Sequence, residues 1–244
     1  MSKVLDLILQ VAKVLTQPQF RYLNIITGVF VTILVLVPSV ASKFIAVGPF
    51  NLSGATLFFP LTYVFNDLLT EVYGYARSRQ IIWTGLCCQV LAACMYWLIT
   101  VWPSASFWHN QTAFETILGL APRVTVASLS AYFCGEFLNS VVLSKLKYRQ
   151  KGAVGLPLAG RFLMSTIVGE AIDTVIFLGV GFWGTMATSD LLITMVTVYI
   201  AKVIYEILAL PMTMHLCSWL KKVEGVDKID SPSDTTYSPF AMDW

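Results

Sequence analysis

Charge is what this sequence has least of. Asp, Glu, Lys and Arg make up 12% of the 244 residues and apolar types 57%, where a soluble domain carries about a quarter charged residues. That shortage places the chain in the membrane class, and a net charge of +2 gives no basis for binding nucleic acid. Histidine is scarce as well. His109 and His215 are the only two, one in a loop and one near the end of an apolar stretch. The His and carboxylate ligands of an intramembrane metalloprotease are therefore missing, as is the Ser/His pair of a serine protease. The five cysteines (Cys87, Cys88, Cys94, Cys134, Cys217) form no CxxC pair and are odd in number. This supports neither a disulfide framework nor a metal site, and they read as small buried hydrophobes. No Walker A loop, GxSxG or HExxH occurs. No cofactor, metal or catalytic residue is expected, and enzyme activity is not.

Long apolar runs are what the sequence has in place of charge. Six stretches, at about 22–43, 54–74, 80–102, 123–144, 162–183 and 191–220, have the roughly 20-residue length of a spanning helix. Breaker-rich or polar pieces separate them, notably 47–54, 102–114, 148–157 and 183–190. The expected fold is an all-α membrane protein, a bundle of six transmembrane helices forming one domain over 1–230. Residues 1–20 carry Asp6, Gln10 and Lys13 within an apolar run and read as an amphipathic segment on the cytoplasmic surface. Residues 231–244 form a polar C-terminal tail, and the whole stretch after Lys222, with Pro232, Pro239 and several Ser, Thr and Asp, is expected to be disordered or loosely packed. With both termini cytoplasmic, all basic residues but Lys43, Arg123 and Lys202 fall on the inner side, as the positive-inside rule requires.

Six of the 14 acidic residues lie inside these stretches: Asp67, Glu71, Glu136, Glu170, Asp173 and Glu206. An ionisable group at the bilayer centre costs about 2.5–3.5 kcal/mol on insertion scales, so these side chains must face the bundle interior. Helical spacing agrees. Asp67 and Glu71 are four apart, Glu136 and Asn139 three, Glu170 and Asp173 three, and Lys202 and Glu206 four, so each pair shares a face. At about 1.5 Å per residue, Asp67, Glu136, Glu170, Asp173 and Lys202 also fall at a similar depth. Tyr63, Tyr132, Phe177 and Tyr199 lie one turn from members of the set. Carboxylates with flat rings describe a pocket for a planar heterocycle bearing N–H donors. Structural pairing is the alternative for some members. Lys202 could serve only as counter-ion to Asp67 or Asp173, Glu71 could pair with Arg77 or Arg79, and Arg123 could snorkel to the outer headgroups.

The run FFPLTYVFNDLLTEVYGYARSRQIIWTGL (58–86), with its P-x-x-Y-x-x-x-D-x-x-x-E-x-Y-G pattern, resembles the queuosine precursor transporter family, also called the VUT family. The likeness continues at RVTVASLSAYFCGEFLNSVVLSKLK (123–147), GEAIDTVIFLGVGFWG (169–184) and YIAKVIYEILALPMT (199–213). It implies a multi-pass protein of the bacterial cytoplasmic membrane that imports 7-cyano-7-deazaguanine or 7-aminomethyl-7-deazaguanine for tRNA modification. It also implies a fold like the substrate-binding subunits of energy-coupling factor importers. Carried over by position, the motif residues are Asp67, Glu71, Arg123, Asp173 and Lys202, with Glu170 and Glu206 matching many members. Together with Tyr63, Tyr132, Glu136 and Asn139 these form the expected substrate-binding set. Base-edge recognition falls to Asp67 or Asp173 with Glu170, and stacking to Tyr63, Tyr132 or Tyr199. The expected partners are the deazapurine and the lipid bilayer. Without a nucleotide site, active import needs proton or ion coupling or a separate energising module, as in an energy-coupling factor binding subunit. Self-association stays open.

Overall fold

The computed structural model describes residues 20–41, 43–47, 50–119, 122–185 and 187–241. Seven helices contain most of them: α1 (Leu23–Val40), α2 (Gly54–Tyr73), α3 (Tyr75–Val101), α4 (Gln111–Leu118), α5 (Pro122–Arg149), α6 (Leu156–Phe182) and α7 (Thr188–Glu224). A short antiparallel hairpin, β1 (Phe44–Val47) and β2 (Phe50–Ser53), links α1 to α2 with Phe44 opposite Ser53. The six apolar stretches correspond to α1, α2, α3, α5, α6 and α7. Several ends run one to two turns further than hydropathy suggests, because polar residues such as Arg77, Lys145 and Arg161 continue the helices. The hairpin and α4 occupy stretches that read as loops. The amphipathic segment expected over 1–20 lies outside the described residues, apart from Phe20.

Five helical stretches are long and apolar enough to cross a membrane: α1, α3, the Gln111–Arg149 stretch that contains α5, α6 and α7. The exception is α2, and its position explains why. It packs against α1, α3, α5 and α7, and from Thr62 to Tyr73 every residue but Phe65 is buried. A helix surrounded by protein has no need of apolar side chains all round, so α2 can carry Thr62, Asn66, Asp67, Thr70 and Glu71. Beside an apolar core that includes Phe30, Leu34, Leu69 and Phe162, the bundle carries the same distribution elsewhere. Large apolar side chains such as Leu91, Trp97, Ile193 and Leu208 lie exposed on the outside, while Arg79, Lys147 and Arg161 are fully buried. The cysteines follow this pattern rather than the expectation of burial. Only Cys217 is buried, whereas Cys87 and Cys94 are exposed and Cys88 and Cys134 partly so, and all are free thiols. A lipid-facing helix surface accommodates a small apolar thiol as readily as a core does.

Polar bonds hold the centre together. Asn66 donates to the Glu136 backbone carbonyl at 3.2 Å and accepts from Ser78 and Ser140 at 2.7 and 3.0 Å. Thr70 completes this link between α2, α3 and α5 by donating to Ser78 and Ser140. One turn further along α2, Glu71 accepts a bidentate pair from Arg161 of α6, at 2.8 and 2.6 Å, and a third bond from Lys221 of α7 at 2.6 Å. Lys147 of α5 donates to the Glu71 backbone carbonyl and sits 3.6 Å from its carboxylate. Glu71 therefore does not pair with Arg77 or Arg79. Its partners lie 76 to 150 residues away and join four helices.

The tail after α7 is not loosely packed. Asp227 lies 2.5 Å from Lys147 and 2.9 Å from Lys221. Asp230 accepts from the Tyr75 backbone N–H and the Ser144 hydroxyl, both at 2.8 Å, and so satisfies an orphan donor at the start of α3. Gly74 makes room for this. Its φ is +86°, and a Cβ there would stand 2.7 Å from Lys228 and 2.8 Å from Asp230. Beyond it, Arg79 donates to the carbonyls of Thr236 and Ser238, and Trp83 to that of Pro239. Phe240 packs against Trp83 and Phe133. The tail is a strap across the α2–α3 turn.

Burial pushes the Asp227 carboxyl up, but the hydrogen bonds and charges of Lys147 and Lys221 outweigh it and hold it below its ordinary value. A carboxyl lowered in this way stabilises fully above its unfolded value, near 3.9, and loses that contribution as pH falls through the lower folded value. Asp227 is 40% exposed, so Asp227→Asn should cost no more than about 1 kcal/mol at neutral pH. The gap in thermal midpoint between variant and parent, measured in detergent, should close on acidification. A gap that widens instead would contradict the assignment.

Candidate functional site

Four helices close a ring: α2 packs on α5, α5 on α6, α6 on α7, and α7 on α2. Each sends buried carboxyls towards the others. Asp67 comes from α2, Glu136 from α5, Glu170 and Asp173 from α6, and Glu206 from α7. None is more than 4% exposed. Glu136 lies within electrostatic reach of Asp67, Glu170 and Asp173, as Glu206 does of Asp67 and Glu170. The acids that helical spacing grouped by face are thus gathered at one place.

Their bonding divides them into two sets. Lys202 of α7 pairs with Glu170 at 2.6 Å and Asp173 at 2.5 Å, and its ammonium stands 4.5 Å from the Phe59 ring centroid. Lys202 is the one basic side chain among the described residues in ion-pair contact with these five acids. Asp67 accepts from Asn139 at 2.7 Å through one oxygen and leaves the other unbonded. Both oxygens of Glu136 and both of Glu206 lack a hydrogen-bond partner. Thr62 and Asn66 approach Glu136, yet the Thr62 hydroxyl donates to the Phe59 carbonyl and the Asn66 amide to the Glu136 backbone. Also buried without hydrogen-bond partners are the Tyr63, Thr166 and Thr174 hydroxyls, the Asn139 carbonyl oxygen and the Glu170 oxygen that is ion-paired to Lys202. Buried polar atoms are normally bonded, so such a concentration needs an explanation. Among the described residues no group of His, Cys, Asp or Glu is arranged to hold a metal ion.

Close packing fixes the ring's shape. At Gly135 and Gly169, α5 and α6 approach so closely that a Cβ on Gly169 would lie 3.0 Å from the Gly135 carbonyl and 2.9 Å from Asn139 Cβ. Tyr63 lies over this crossing. A Cβ on Gly135 would meet its hydroxyl at 2.5 Å and Asp173 Cβ at 3.0 Å. The two glycines thus let Tyr63, Asn139 and Asp173 converge.

Of the residues expected in the site, Tyr63, Asp67, Glu136, Asn139, Glu170, Asp173, Lys202 and Glu206 come together. Three do not join them. Glu71 belongs to the ion cluster described above. Arg123 is exposed and donates to the Val180 and Trp183 carbonyls at 2.6 and 2.7 Å, so it closes the end of α6 two to three turns from Asp173. Tyr132 spends its hydroxyl on the Ile82 carbonyl of α3. Tyr199, named for stacking, donates to the Ile167 carbonyl. Phe59, Thr166 and Thr174 were missed. Phe59 stands four residues before Tyr63, and the two threonines stand four either side of Glu170, so the one-turn spacing that found the acids marks these as well.

Comparison with known proteins adds the following. Residues 53–216 match the family described as "putative vitamin uptake transporter". The chain is 29% identical over 163 residues to the "probable queuosine precursor transporter" of Bacillus subtilis (strain 168), covering 66% of this chain and 67% of that one. It is 24% identical over 134 residues to the "queuosine precursor transporter" of Escherichia coli (strain K12), covering 55% of this chain and 57% of that one. The match thus spans about two thirds of one relative and just over half of the other. No solved structure matches.

Gly169→Ala tests the helix crossing. Its new methyl meets a backbone carbonyl and a Cβ, neither of which can rotate away, so α5 and α6 must separate. Overpacking of this kind costs about 1–3 kcal/mol. The variant should melt at lower temperature in detergent, and an unchanged midpoint would show that the crossing is loose.

Proposed function

Because the chain belongs to the vitamin uptake transporter family, we propose that it imports queuosine precursors of the 7-deazaguanine class across the bacterial cytoplasmic membrane. The observation that carries this reading is the set of buried, unbonded acceptors contributed by four helices. A guanine-like edge offers adjacent N–H and NH2 donors, which one carboxylate accepts in bidentate fashion. Bidentate acceptance requires two free oxygens. Asp173 is held by Lys202 and Asp67 gives one oxygen to Asn139, so Glu136 or Glu206 is the better base-edge acceptor. Tyr63 is the stacking ring, since Tyr132 and Tyr199 point their hydroxyls at other helices.

On this reading α2 is the sixth span, shielded from lipid by its neighbours. Both termini face the cytoplasm, in keeping with the basic residues around the α2–α3 turn, the α5–α6 turn and the end of α7. The six-helix plan is that of energy-coupling factor binding subunits, as the resemblance implies. Five acids facing one lysine leave acceptors that need donors from outside. A donor-rich substrate supplies them, and proton or ion coupling fits the same surplus.

The test uses a strain unable to make the precursor, complemented with this gene and supplied with dilute precursor, with modified tRNA as readout. Uptake should restore the modification. Glu136→Gln or Glu206→Gln should require about ten to a hundred times more precursor, the worth of one bidentate base contact, while staying folded in the membrane. Full activity in both variants would remove the base-edge role from these residues, and no restoration by the parent would overturn the transport reading itself.

A further inference from the structure

The ion-paired half of the site is a complete ammonium receptor whose guest belongs to the protein. Two carboxylates, Glu170 and Asp173, pair with the Lys202 ammonium at 2.6 and 2.5 Å, and the Phe59 ring centroid stands 4.5 Å from it. Carboxylates plus an aromatic face make the arrangement by which proteins bind ammonium groups. The carboxyl oxygens with neither a hydrogen bond nor an ion pair lie on Asp67, Glu136 and Glu206, whereas the Glu170 oxygen that lacks a hydrogen bond is the one ion-paired to Lys202, so the tethered cation and the free carboxyls are separate.

We infer that Lys202 sets charge selectivity at this site: by filling the ammonium receptor it favours neutral planar heterocycles over cationic ones. The inference rests on the function proposed above and deepens it. With its base edge on the unbonded carboxyls, a substrate whose side group is an ammonium meets a receptor already occupied by a like charge, and must either displace Lys202 into the bundle or bind beside it. Like-charge juxtaposition in a desolvated site is costly. A substrate with a neutral, acceptor-tipped side group faces no such conflict, and Lys202 can donate a hydrogen bond to it. Without Lys202, Glu170 and Asp173 lose the one ammonium that pairs with them among the described residues and become a receptor for the substrate's own cation. The bonded state of these two acids, rather than their number, is what sets the preference.

The two 7-deazaguanines differ in this respect, the cyano form being neutral and the aminomethyl form cationic at neutral pH. Uptake of each is measured in the precursor-deficient strain for the parent, Lys202→Met and Lys202→Arg, with membrane abundance of each variant followed by a fluorescent fusion. The parent should prefer the cyano compound by on the order of tenfold or more, Lys202→Arg should keep that order, and Lys202→Met should reverse it. Ligand-induced thermal stabilisation of the purified parent gives a second readout that needs no variant, and the cyano compound should stabilise at the lower concentration. Equal use of both compounds by the parent, or a preference that Lys202→Met leaves unchanged, would overturn the inference while leaving the transport reading intact. Failure of the parent to take up or be stabilised by either compound would overturn both.

Discussion

Glu71 sits at the junction of four helices with Arg161, Lys221 and Lys147 around it. A single buried carboxylate would cost several kcal/mol, and so would each of its partners alone. The arrangement is tolerable only when all are present, and that mutual dependence sets where α2, α5, α6 and α7 meet. The strap adds to the same junction, because Asp227 bonds two of the cations. With this end fixed, the ring of helices around Asp67, Glu136, Glu170, Asp173 and Glu206 has a defined shape.

The protein therefore uses buried charge in two ways that differ in how completely the charge is matched. Around Glu71, the cations exceed the acids and nearly every polar atom finds a partner. One turn away along α2, the acids exceed the cations and many atoms find none. Full matching rigidifies a structure, and incomplete matching leaves room for something from outside to complete it. A difference of four residues, about 6 Å along a helix, separates Asp67 in one group from Glu71 in the other.

This closeness explains what could be read from the sequence. Helical spacing and depth were enough to gather Asp67, Glu136, Glu170, Asp173, Lys202 and Glu206, because an acid in hydrocarbon has few places to go. The same argument put Glu71 with them, since spacing along one helix cannot tell which distant cation it meets. Arg161 is 90 residues from Glu71 in the chain, and by the positive-inside rule it reads, like Lys147 and Lys221, as a residue of the cytoplasmic side. Arg123 enters the expected set through the family resemblance alone, and its acceptors here, the Val180 and Trp183 carbonyls, are backbone groups that no sequence pattern displays. The tail was read as loose from its polarity. Asp230, Tyr237 and Phe240 are ordinary tail residues by composition, and only the groove beside α3 gives them work. All six apolar stretches correspond to helices, though only five helical stretches are apolar enough to cross a membrane, because α2 lies too far inside the protein to need the hydropathy of a lipid-facing helix.

The bond from Tyr75 to Asp230 closes a loop of 155 residues. At a synthesis rate of about 5–20 residues per second, the acceptor is made on the order of ten seconds after the donor. Throughout that interval the start of α3 has to do without its cap, while α5, α6 and α7 are still entering the bilayer. The α2–α3 turn is thus among the first parts of the protein to be built and among the last to be secured, and ribosome pausing before residue 230 would prolong its unprotected state.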